Sequence, residues 1–88
     1  DLHLSLRRQR QMCIRDRSME KLKIPSKLLG KRVKRVNRLD GIKLITKDSW
    51  LMFRKSGTEP IVRIYAEAKT KEERDRLIRL GERLIHAL

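Results

Sequence analysis

The sequence predicts an α+β domain in which a four-stranded, mainly antiparallel sheet carries a C-terminal helix packed on one face. Three observations predict it. Asp40-Gly41 separates two apolar runs, the mark of a two-residue hairpin. Residues 61–68 alternate, with Val62, Ile64, Ala66 and Ala68 on one side and Arg63, Tyr65 and Glu67 on the other, as a strand with one buried face requires. Thr70-Lys71-Glu72-Glu73 reads as a capping box, and behind it Leu77, Leu80, Gly81, Leu84 and Leu88 recur at helical spacing. A sheet and a helix that are each apolar on one side bury those sides against each other.

The first residues support no such element. Leu2, Leu4 and Leu6 alternate, then Arg7-Arg8-Gln9-Arg10-Gln11 interrupts, and Met12 to Arg17 has neither period. The apolar part precedes the basic part, the reverse of a secretory signal. Gln11-Met12-Cys13-Ile14-Arg15-Asp16-Arg17 also resembles translated sequencing adapter, so residues 1–18 are expected to be a non-native or disordered leader, with an RNA-binding arginine arm as the functional alternative. Residues 19–30 read as a linker with a helical fragment. Pro25 stops a short helical end at Met19–Ile24, and Ser26–Gly30 is one further turn ended by Gly30.

The domain proper spans residues 31–88. Its first strand contains Val33 and Val36, and Asp40-Gly41 turns it into a second at Ile42–Thr46. Lys47-Asp48-Ser49 turns into the third, Trp50–Phe53, and the fourth follows Pro60. In the helix Ile78 and Ile85 widen the apolar stripe, while Lys71, Arg74, Arg79 and Arg83 face away; His86 lies near the helix end, where it favours the dipole.

Composition sets limits on function. The chain has 88 residues, 40% of them charged, and one each of Trp, Tyr and Phe, so its core is small. No apolar run approaches the roughly 20 residues that cross a bilayer, and no membrane partner is expected. The single Cys13 forms no intramolecular disulfide, which makes the cytoplasm the default compartment, and His3 and His86 stand at opposite ends, so no metal site is expected. The net charge of +13 suits an anionic partner. Residues 1–18 hold five Arg against two Asp, leaving +10 on the remainder; the basic run Lys31–Arg35 is most simply a solvated strand face.

The third and fourth strands enclose Arg54-Lys55-Ser56-Gly57-Thr58-Glu59-Pro60. A phosphate dianion needs charge-assisted donors from several directions. Guanidinium supplies a planar fork, hydroxyls supply short bonds, and backbone N–H groups at a Gly turn supply a nest. A Ser-Gly-Thr stretch alone is ordinarily a turn; here all three kinds of donor fall within five residues.

Those seven residues, with Ile61-Val62-Arg63 after them, resemble the Arg-Pro-Ser-Gly-Thr-Glu-Pro loop and following Arg of the C-terminal domain of the α-D-phosphohexomutases: phosphoglucomutases, phosphomannomutases and phosphoglucosamine mutases. Asp40-Gly41-Ile42, Trp50 and Tyr65-Ala66-Glu67-Ala68 are similar as well, so the resemblance covers about residues 31–86. It implies a TATA-binding-protein-like fold that grips the phosphate not being transferred between the 1 and 6 positions of a hexose. By that resemblance Arg54 binds two phosphate oxygens, Ser56 and Thr58 donate hydroxyls, the backbone at Gly57 completes the nest, and Arg63 reaches the same anion or steadies the loop. Glu59 has a supporting role, orienting an arginine or touching a sugar hydroxyl. Lys55 departs from the family's proline, which frees a torsion and adds a cation.

The family's phosphoserine and Mg2+ belong to other domains, and this sequence contains neither the nucleophile motif, the Asp-Gly-Asp-Gly metal loop nor the sugar loop. No catalytic residue and no cofactor is therefore expected in this chain, which is read as a fragment. The parent enzyme is expected to be an isomerase that uses Mg2+, with a hexose phosphate or bisphosphate and the remaining domains as partners. The alternative is a free-standing basic α+β module that binds RNA or another polyanion; nucleic acid is not the expected partner, because two aromatics on different strands make a weak stacking platform.

Overall fold

Alternation along Ile61–Ala68 builds the spine of the molecule. In the computed structural model, which describes residues 6–14 and 19–88, this strand (β7) is buried at every second position and half-buried between. Val62, Ile64, Ala66 and Ala68 face the helix α1, Lys71–His86. β6, Trp50–Lys55, pairs antiparallel with β7, and β5, Ile42–Ile45, pairs with β6; both turn their apolar residues to the same side, so that Leu44, Leu51, Phe53, Leu77, Ile78 and Ile85 form a closed core. β4, Arg35–Asn37, ends the sheet beyond β5.

The α+β class holds, but the sheet has five strands, not four. The fifth is β1, Leu6–Cys13, which pairs with β7 along its whole length from Leu6 opposite Ala68 to Cys13 opposite Ile61. Hydrophobic periodicity misses this strand because on its α1 side Arg8 and Arg10 meet charges and only Met12 packs against the core. Arg8 pairs with Asp75 and Arg10 with Glu82, each at 3.0 Å on the α1 side, while Arg7 reaches Glu67 on the other face. Asp75 sits below the usual carboxylate range because Arg74 and then Arg8 hydrogen-bond to its charged form. Ile14, just past the strand, is 1% exposed and joins the core, its N–H donating to the Pro60 carbonyl. The leader reading of residues 1–5 and 15–18 lies outside the described residues.

The stretch read as a linker also differs. Met19–Lys21 is a single 3-10 turn, and the expected helical turn at 26–30 is a small hairpin of β2, Lys27–Leu28, and β3, Lys31–Arg32. Leu29 and Gly30 both take positive φ, 53° and 84°, the conformation of a tight primed turn. Leu28, at 1% exposed, anchors the hairpin in the core.

Lys31 ties this hairpin to the rest. Its Nζ donates to Asp48 in the β5–β6 turn and to Glu73 in the first turn of α1, both at 2.8 Å. These hydrogen bonds raise the Lys31 pKa, and the ammonium lowers that of Asp48. The capping box is therefore only half made. Thr70 caps α1 by accepting the Glu73 N–H at 3.1 Å, but the Glu73 carboxylate takes the ammonium, a charge-assisted partner stronger than a neutral backbone N–H.

Candidate functional site

The ladder between β6 and β7 ends with Arg54 opposite Arg63 and Lys55 opposite Val62. Residues directly across an antiparallel pair share a face, about 5 Å apart at Cα, so two guanidinium groups rise together from the side of the sheet that α1 leaves open. Like charges so placed weaken a sheet. Arg63 has no ion pair among the described residues, and Arg54 has only Asp40, at 3.6 Å, in a pair whose side chains are 50% and 73% exposed.

Ser56–Pro60 joins the strands beside this pair. The Ser56 N–H donates to the Ile61 carbonyl at 2.9 Å and the Ile61 N–H to the Glu59 carbonyl at 2.7 Å, which pins the base of the loop. Within it Ser56 Oγ accepts from the N–H groups of Thr58 and Glu59, at 3.5 and 3.4 Å. Bonds of that length are weak, so an anion can take these donors over. With Oγ accepting, the Ser56 hydroxyl hydrogen points elsewhere and can donate to a ligand. Gly57 has φ outside the left-handed region, and a Cβ built there meets nothing. Packing does not demand glycine at this position; it leaves the backbone open to close approach.

One hairpin thus brings together Arg54, Ser56, Gly57, Thr58 and Arg63. Lys55 lies inside β6, where the pairing with Val62 holds the torsion that its difference from proline frees, and its side chain is exposed. Glu59 is exposed and forms no ion pair with either arginine; the carboxylate at Arg54 belongs to Asp40. Sequence reasoning read Asp40 as half of a turn signal, and only the hairpin's position against β6 reveals the contact.

The open face continues along the sheet from Arg54. A shallow depression of about 450 Å³ there is lined by Arg7, Trp50, Met52, Arg54 and Tyr65 among others, with Lys43 Nζ 4.3 Å from the centre of the Trp50 ring. Trp50 is thereby half-covered by a cation, as aromatic rings on wet surfaces favour. No three His, Cys, Asp or Glu side chains gather into a metal site among the described residues, and no helix there is long and apolar enough to cross a membrane.

Residues 16–79 match the family model for the C-terminal domain of phosphoglucomutase/phosphomannomutase. A phosphoglucomutase/phosphomannomutase of Thermococcus kodakarensis is 40% identical over 60 residues, which are 68% of this chain and 13% of that protein. A probable phosphoglucosamine mutase of Pyrococcus horikoshii is 44% identical over 54 residues, 61% of this chain and 12% of that protein. A phosphoglucosamine/phosphogalactosamine mutase of Sulfurisphaera tokodaii is 55% identical over 40 residues, 46% of this chain and 9% of that protein. The chain thus spans only a small part of the length of these relatives.

Proposed function

From the premise that this chain belongs to the phosphoglucomutase/phosphomannomutase family, as its C-terminal domain, we propose that the β6–β7 hairpin grips the phosphate of a sugar phosphate. The observation that carries this reading is the cross-strand pair Arg54 and Arg63. Two cations directly opposite each other, one of them without an ion pair among the described residues, are a poor arrangement for a sheet and a good one for a dianion shared between them.

Arg54 offers its fork to two phosphate oxygens, Arg63 neutralises the second charge, the Ser56 and Thr58 hydroxyls donate, and the open backbone at Gly57 lets the anion approach the loop N–H groups. The contribution is positioning, which supplies much of the rate in phosphoryl transfer. Bond making, and any Mg2+ that assists it, falls to other domains of a longer isomerase. The relatives' names span glucose, mannose, glucosamine and galactosamine phosphates, which fits a domain that reads the shared phosphate and leaves the sugar to others. A cytoplasmic setting accompanies this reading.

Titration of the labelled chain with glucose 6-phosphate tests it. Amide signals of Ser56, Gly57 and Thr58 are expected to shift at millimolar ligand, and Arg54→Ala to abolish the shifts without loss of fold. If the loop stays still under sugar phosphate and RNA moves it instead, with a steep salt dependence that survives Arg54→Ala, the chain is a polyanion binder.

A further inference from the structure

Arg54 stands between charges of opposite sign. Toward β7 the ladder sets Arg63 directly opposite it; toward β5 the turn after β4 brings the Asp40 carboxylate to 3.6 Å from one Nη. That turn lies hard against β6. Gly41 has φ +106°, and a Cβ there would run into the Phe53 carbonyl oxygen and stand 3.3 Å from the Arg54 Cα. At the far side of the turn Asn37 Oδ1 accepts the Leu39 N–H at 2.9 Å. Asp40 is thus held beside the β6 backbone by a glycine-only conformation and a side-chain-closed turn. Repulsion from Arg63 and attraction to Asp40 act in the same direction, drawing the guanidinium toward β5. An anion shared by the two arginines pulls it the other way.

We infer that Asp40 is the internal counter-ion of the anion site, a positioning residue that keeps Arg54 on the β5 side until an oxyanion bridging Arg54 and Arg63 displaces it. The inference rests on the phosphate reading of the hairpin and adds to it a residue that sets the affinity of the site by competing for Arg54. Because the pair is long and largely exposed, the competition is modest, and its removal tightens anion binding about twofold to fivefold. Asp40 also repels the incoming dianion directly, which adds in the same sense.

The experiment titrates inorganic phosphate into the labelled 88-residue chain at low ionic strength, following the amides of Ser56, Gly57 and Thr58 and the Arg54 Nε–Hε signal. Asp40→Asn is expected to bind phosphate about twofold to fivefold more tightly and to show its Arg54 side-chain signal displaced before any phosphate is added. The advantage should shrink at about 0.5 M salt, where exposed charges are screened. Asp40→Glu should restore wild-type affinity, and Asp40→Ser should repeat the Asn result if Asn disturbs the turn. Glu72→Gln, which removes an equal charge at the start of α1, should leave affinity unchanged; equal tightening there would reduce the effect to net charge and overturn the inference. Unchanged or weaker binding by both neutral Asp40 variants, with wild type still responding, overturns it while the phosphate reading stands. Silence of the loop in every variant overturns both.

Discussion

The two faces of the sheet are solved differently. Under α1, Leu51, Phe53, Val62, Ile64 and Leu77 are 0% exposed and belong to one hydrophobic cluster. Across the strands from them Arg54 faces Arg63, Trp50 is covered by a lysine, and the loop donors spend themselves on long bonds to Ser56 Oγ. One face is closed by the helix, whereas the other leaves cations and loop N–H groups open to solvent. A single register produces both, because adjacent residues of one strand point to opposite faces.

Substitutions on each face should break or sharpen this contrast. Phe53→Ala removes the largest fully buried side chain and should lower unfolding free energy by about 3–5 kcal/mol in denaturant melts, enough to unfold a chain of this size. Should it cost under about 1 kcal/mol, the α1 face is not the close-packed surface described. Gly81→Ala is a finer probe of the same face. Alanine favours a helix over glycine by about 1 kcal/mol, but a Cβ at Gly81 would lie 2.7 Å from Ile64 Cγ2, on a stiff branched side chain. Overpacking costs typically 1–3 kcal/mol, so a net loss of about 1 kcal/mol is expected; a gain in thermal stability would contradict the contact.

Lys31→Met tests the tie between hairpin, turn and helix. Its partners are partly exposed, so the loss should be about 1 kcal/mol or less, and the pH profile is the sharper reading. Asp48 has its folded pKa lowered from the ordinary 3.8, so its contribution is present above that value and disappears as pH falls through the folded one. Lys31 has its pKa raised from 10.5, so its contribution is full below that value and disappears as pH rises through the folded one. Both limbs of the stability curve should flatten in Lys31→Met.

On the open face the expected sign reverses. Arg63→Gln keeps the stem and removes one of two opposed charges, so it should stabilise the fold by about 0.2–1 kcal/mol while weakening sugar-phosphate binding. A residue kept only for packing would show no such trade. The smallest expected change in stability is that of Gly57→Ala, within about 0.5 kcal/mol, since no neighbour awaits the methyl group; its effect belongs in the phosphate titration, where the methyl group obstructs the loop backbone.

Legibility in the sequence followed the kind of partner each residue has. The strands from Ile42 onward and α1 were readable because their partners are apolar, and apolar surface leaves a period. Arg54, Ser56, Gly57, Thr58 and Arg63 could be grouped for a different reason: one hairpin carries them, so they are close in sequence. β1 was not readable, since its arginines answer to Asp75, Glu82 and Glu67, residues more than fifty positions away. Ser26–Gly30 reads as helix in sequence because Gly30 suits a helix end as well as a primed turn.

By itself the sequence determined the fold class, the α1-facing core and the grouping of Arg54, Ser56, Gly57, Thr58 and Arg63 on one hairpin, for periodicity and local motif are properties of neighbouring residues. Tertiary structure alone decided the fifth strand, the diversion of Glu73 from the Thr70 N–H to Lys31, and the approach of Asp40 to Arg54. Each depends on a charge from a distant segment, and electrostatic pairing is set by where the folded chain brings a carboxylate, which no spacing in the sequence records.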